Sequence, residues 1–223
     1  MRRTCLFDLE TITDPSVIDI LPEPEPDSRL VNKDKIAADI EKKVQKQIDM
    51  LGVDPKTNLI CCASFADFEE KKTTSFTLEP LENGSVLTLG DKEAILLRDI
   101  WEHMKPYNRF VTFNGNSFDV ECLNFHSAIR GVEIAIRLSQ NNYRPVNHYD
   151  LRMVFALGNS RAKGKFDFFA KRFGATGKDG LDGSMVQGMW DAGEIEDIKK
   201  YCESDVRNLY HVYKRLIDTK YIS

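Results

Sequence analysis

Long apolar runs are missing from this sequence. The cleanest one, Leu59 to Ala66 (LICCASFA), falls far short of the roughly 20 residues that cross a bilayer, so no membrane partner is expected. Behind Arg2 and Arg3 the apolar segment Cys5-Leu6-Phe7 stops at Asp8, too early for a signal-peptide core, and a cytoplasmic protein is expected. Cysteine is sparse and poorly spaced. Its five residues include the adjacent pair Cys61 and Cys62 but no C-x-x-C, which excludes a disulfide framework or zinc spacing and predicts reduced, buried thiols. An excess of positive charge is also lacking: the formal net charge of −4 does not by itself point to nucleic acid. No repeat or low-complexity tract divides the chain. What is present is ordinary globular material, 42% hydrophobic and 30% charged over 223 residues, and it predicts one domain spanning 1–223.

Charge is distributed unevenly. Between Arg130 and Arg172 nine basic residues face three acidic ones, whereas from Asp179 to Asp205 eight acids face only Lys199 and Lys200. The basic stretch is either a solvated face or a track for phosphates. Thr4 to Thr11 reads as a buried strand, and Leu59 to Phe68 and Thr73 to Leu78 as two more, which suggests a three-strand meander. An insertion, about 14–55, separates the first two strands. It opens on the acidic, proline-rich PEPEPD, and its second half reads as a helix because Ile36, Ile40, Val44, Ile48 and Leu51 recur at helical spacing. Further on, a helix is expected over Asp91 to Met104, a strand over Arg109 to Asn114 and a helix over Phe118 to Gly131. Helical stretches follow near Leu151 to Leu157, Phe166 to Phe173 and Ser184 to Ala192, before a long final helix over Glu194 to Ile217. A meander followed by alternating helices predicts an α/β architecture with a mixed, helix-covered sheet.

Acids stand where core residues belong. Asp8 and Glu10 lie two apart in the first strand, so both carboxylates share one face while Phe7 and Leu9 take the other. In the final helix the apolar stripe Ile198, Cys202, Leu209, Val212 and Leu216 is interrupted at Asp205, with Tyr201 one turn earlier on the same face. Asp119 falls in the first turn of the helix after Asn114-Gly-Asn-Ser-Phe, where an acid also suits the helix dipole. Each feature has a bland explanation alone. Together, four carboxylates from three otherwise apolar elements call for cations, because a buried carboxylate without a partner costs several kcal/mol. All-oxygen donors suit Mg²⁺ or Mn²⁺, and two such ions are a known arrangement for phosphoryl transfer.

These residues form a recognisable set. FDLET (Phe7 to Thr11), N-x-x-x-F-D (Asn114 to Asp119) and YCESD (Tyr201 to Asp205) resemble, in order and context, the three motifs of the DEDD superfamily of 3′-to-5′ exonucleases. The chain is most similar to the tyrosine-bearing (DEDDy) branch, as in the proofreading domains of family B DNA polymerases and the stand-alone predicted exonucleases related to them. Lys200 occupies the place where the histidine branch would carry its histidine. The resemblance implies a ribonuclease-H-like fold: a mixed five-stranded sheet flanked by helices, here with a helical insertion after the first strand. It implies that Asp8, Glu10, Asp119 and Asp205 hold two Mg²⁺ or Mn²⁺ ions and that Tyr201 orients the attacking water. Thr11, Asn114 and Phe118 match positions that hold the 3′-terminal nucleotide. Lys178 with Leu181 resembles a further K-x-x-hydrophobic element, with a plain loop lysine as the alternative. The implied activity is hydrolysis of single-stranded DNA ends to nucleoside monophosphates, with a replication or repair protein as partner. An exoribonuclease and a non-catalytic nucleic-acid-binding module are the competing readings.

Overall fold

In the computed structural model of the chain, residues 3–82, 84–141, 145–157, 159, 164–177 and 183–222 are described. Lys178 and Leu181 lie outside them. The first strand, β1 (Thr4–Thr13), is buried along nearly its whole length, as its apolar sequence requires. It pairs antiparallel with β2 (Asn58–Asp67), which in turn pairs antiparallel with β3 (Thr73–Thr77). On its other side β1 pairs parallel with β4 (Arg109–Thr112), and β4 parallel with β5 (His148–Asp150). The strand order β3-β2-β1-β4-β5 puts the acid-bearing strand at the centre of a mixed five-stranded sheet. With helices packed on it, this is the ribonuclease-H-like α/β fold.

Helices α2 (Leu89–Met104) and α3 (Asp119–Ile129) pack with Phe7, Leu9, Phe65 and Phe110 in one apolar cluster. Helix α2 begins two residues before the expected Asp91 because Thr88 and Asp91 form a reciprocal capping box. Gly131, with φ +64, closes the end of α3, where the Val132 N–H donates to the Ser127 carbonyl. The long helix α7 (Ile195–Asp218) crosses β1 and β2 and clusters with Leu6 and Val111 through Leu209, Val212 and Leu216. Leu6, Asp8 and Glu10 alternate with Phe7 and Leu9, so the period of two directs the two acids to the face that carries Leu6. Short helices α4 (Leu151–Phe155), α5 (Phe166–Arg172) and α6 (Val186–Asp191) fill the second half. The stretch expected as one helix from Ser184 starts as a 3₁₀ turn, Gly183–Met185, before α6.

The insertion holds a 3₁₀ turn (Pro15–Ile20) and helix α1 (Lys33–Met50). The predicted stripe is there, but none of the residues of α1 is buried; Val44 and Ile48 are exposed and only Leu51, just past its end, is enclosed. Helix α1 instead lies along the proline-rich segment, with Lys43 Nζ donating to the Glu25 carbonyl and Gln47 Nε2 to that of Pro22. Its roots are held firmly: the Asp14 N–H donates to Thr57 O at 3.0 Å, joining the two ends of the excursion.

Candidate active site

Three elements deliver the acids. Asp8 and Glu10 come from the middle of β1, Asp119 from the first position of α3, and Asp205 with Tyr201 from one face of α7. All five side chains line one cleft of about 190 Å³, together with Asn114 and Phe118 of the β4–α3 loop and with Phe113 and Phe166. Every charged group among these described lining residues is a carboxylate. Glu10, Asp119 and Asp205 are each less than a tenth exposed.

Local structure fixes each donor. Asp119 Oδ1 accepts the Leu9 N–H at 3.0 Å, which clamps the start of α3 to β1 between the two strand acids. Burial pushes the Asp119 carboxyl up to about 7, the charge of Asp150 adding to the rise, while hydrogen bonds from backbone N–H groups oppose it. On α7, Cys202 turns its Sγ toward the Asp8 carbonyl at 3.4 Å, tying the helix to the strand. The ligand atoms of Asp8, Glu10 and Cys202 lie within 4.8 Å of one another. Burial holds the Cys202 thiol well above its ordinary pKa, so it acts as a neutral donor, and the oxygens are the ligating atoms. The donor set is thus hard and anionic, which fits Mg²⁺ or Mn²⁺.

The β4–α3 loop is shaped by two contacts. Asn114 adopts φ +71, a left-handed conformation uncommon for a residue with a side chain. Its N–H donates to Asp150 Oδ1 at 2.8 Å, and the Asn116 N–H donates to Asp150 Oδ2 at 3.1 Å. Arg152 adds a hydrogen bond to the Asn114 side-chain oxygen. Gly115 is required by close approach, since a Cβ there would sit 2.1 Å from Thr112 Oγ1.

Two predicted positions behave differently. Thr11 is absent from the described cleft lining and donates its hydroxyl to the Gly52 carbonyl at 2.6 Å. The register of β1 with β2 shifts between Glu10 and Thr11, and such a bulge re-aims the side chains beyond it. Arg130, counted in the basic stretch, is bound to Glu93 and Asp14 at 2.7 and 2.8 Å. It therefore serves the interior and not a phosphate track. Arg152 and Lys165 of that stretch do face a hollow that also contains Asn114. Arg144, Arg161 and Lys163 lie outside the described residues. Asp150, Phe113 and Phe166 are site neighbours that no motif marks.

A buried sheet centre bearing convergent acids defines a nuclease-like member of the ribonuclease-H-like fold. The chain belongs to the family of predicted 3′-5′ exonucleases related to the exonuclease domain of PolB, whose model matches residues 56–220. Asp8 and Glu10 precede the matched segment, beyond the insertion. Among solved structures, the family B DNA polymerase from the hyperthermophilic archaeon Pyrobaculum calidifontis superposes with a TM-score of 0.63 and 15% identity over 97% of this chain. The chain spans about a quarter of that polymerase, 25% of its length, and the likeness concerns the fold. Comparison with curated proteins returns no match.

Proposed function

We propose that residues 1–223 form one domain that hydrolyses single-stranded DNA from the 3′ end, releasing nucleoside monophosphates. The observation that carries this reading is the convergence of Asp8, Glu10, Asp119 and Asp205, from three separate elements, on a single cleft. In this reading the four carboxylates hold two Mg²⁺ or Mn²⁺ ions. Such ions, when bound, lower the pKa of the attacking water and neutralise charge on the leaving 3′ oxygen. Asn114 and Phe118, at the mouth of α3, hold the terminal nucleotide by hydrogen bond and ring contact, a sequence-tolerant mode of recognition. Tyr201, buried beside Asp205, orients the water through a hydrogen bond from its phenol.

The test is digestion of a 5′-labelled single-stranded oligonucleotide, as DNA and as RNA of one sequence, with Mg²⁺, Mn²⁺ or EDTA. Asp8→Ala is run beside the wild type and is expected to lose cleavage while keeping its circular dichroism spectrum. A metal-dependent ladder on DNA, absent in Asp8→Ala, supports the proposal; a ladder on RNA alone transfers it to an exoribonuclease. No ladder on either substrate, or wild-type turnover by Asp8→Ala, ends it.

A further inference from the structure

The charged groups among the described lining residues of the cleft are all carboxylates, so what its neutral polar groups turn toward a phosphate-bearing terminus matters. Asn114 carries the side-chain amide of that lining. An amide has a donating end and an accepting end that fill nearly the same space. Turned one way it offers N–H groups to a phosphate or hydroxyl oxygen; turned the other way it adds one more electronegative oxygen to a wall of carboxylates.

Arg152 settles the orientation. It lines the neighbouring hollow of about 550 Å³, which Asn114 shares, and is not among the described lining residues of the cleft itself. Its Nη1 donates to the Asn114 side-chain oxygen. A guanidinium has only donors and stays charged in a protein, so the end of the amide that faces it is the oxygen, and the N–H groups of Asn114 are turned the other way.

The backbones of the pair are tied to one another as well. Asp150 Oδ1 accepts the Asn114 N–H at 2.8 Å and the Arg152 N–H at 2.9 Å, so one carboxylate oxygen sets the spacing of the two residues. The left-handed backbone of Asn114, φ +71, aims its side chain, and relaxing that conformation would break the bond to Asp150. Resting on the exonuclease reading, we infer that Arg152 is a positioning residue: it locks the Asn114 amide with its N–H groups toward the terminal nucleotide, so that Asn114 binds as a donor. The effect of Arg152 on the substrate runs through Asn114.

A double-mutant cycle on a single-stranded oligonucleotide with Mg²⁺ tests this. Arg152→Ala frees the amide to turn and is expected to raise KM about three- to tenfold, the worth of one hydrogen bond, with kcat nearly unchanged. Arg152→Lys keeps a charged donor without an acceptor and is expected to retain most of the wild-type KM. Asn114→Asp keeps an oxygen for Arg152 but puts a second, charged one in place of the N–H groups, and its KM is expected to rise about tenfold or more. Once Asn114→Ala has removed the amide, adding Arg152→Ala is expected to shift KM by less than about twofold, because residues that act as one pair are not additive. An equal KM penalty from Arg152→Ala in the wild-type and Asn114→Ala backgrounds overturns the inference, since a guanidinium that only props the loop, or meets a phosphate by itself, does not need the amide. A wild-type KM in Arg152→Ala overturns it too. A wild-type protein inert on the oligonucleotide overturns the exonuclease reading and this assignment with it.

Discussion

Three backbone N–H groups converge on the carboxylate of Asp150: those of Asn114, Asn116 and Arg152. Asp150 touches neither the cleft nor its acids, yet it holds the left-handed Asn114 and so positions the loop that ends in Phe118 and Asp119. Removing it leaves loop amides without an acceptor, and a misplacement of 1 Å near reacting groups can cost about a hundredfold in rate. Asp150→Ala is therefore expected to lower kcat/KM on oligonucleotides by roughly 10- to 100-fold. Calorimetric Mn²⁺ affinity should change less, because Asp119 is still held by the Leu9 N–H and the other three acids stand on β1 and α7. Unchanged kcat/KM would remove Asp150 from the site's support. No periodic pattern marks this residue, because two of its three partners, Asn114 and Asn116, lie in a loop that meets it only where β5 lies beside β4.

At the scale of elements, what could be read in advance were those whose apolar pattern persists over many residues. β1, β2 and α7 stand within one or two residues of their expected bounds because strand alternation and a helical stripe are each repeated several times. β5 was unreadable: it is three residues long, polar at His148 and Asp150, and exists as a strand only through its pairing with β4. Nor did the pattern reveal a network made by α2 and α3. Glu93, fully buried in α2, accepts the Ile60 N–H at 2.8 Å, lies 2.6 Å from His126 Nδ1 and pairs with Arg130 at 2.7 Å. Arg130 reaches Asp14 and His126 Nε2 reaches the Pro55 carbonyl, so the network grips both roots of the insertion. Breaking a buried ion pair from one side costs about 3–5 kcal/mol, the loss expected for Glu93→Ala in denaturant unfolding. Ile48→Ala on the half-open stripe of α1 should cost under about 1 kcal/mol. Equal losses from the two variants would mean that α1 is as integral as the network.

For the molecule as a whole, the proposed metal site predicts that cations stabilise the folded state by binding its gathered carboxylates. Ligand that binds only the native protein adds about 2.7 kcal/mol at a hundredfold excess over Kd, roughly 5–10 °C in thermal midpoint for a chain of this size. Mn²⁺ is expected to raise the midpoint by that order. Asp8→Asn should begin higher in EDTA and respond less, since one repelling charge and one ligand are gone. The sign with pH follows from Asp119, raised to about 7 by burial. Below that value its proton competes with the cation; above it the carboxylate is free to bind, so the Mn²⁺ shift should grow from pH 6 to pH 8. The same raised value means that, without metal, stability falls as pH rises from the ordinary carboxylate range toward 7. A midpoint indifferent to Mn²⁺ at both pH values would contradict the carboxylate assignment.

The central place of β1 also sets an order of events during synthesis. The strand with the first two acids is made before its flanking partners, β2 and β4, and α7, which brings Tyr201 and Asp205, is made later still. At roughly 5–20 residues per second, many seconds separate the first acid from the last. Because the cleft draws its walls from both ends of the chain, a nascent or prematurely terminated polypeptide has no complete site. The carboxylate cluster is therefore assembled only after α7 has been made, a consequence of strand order alone.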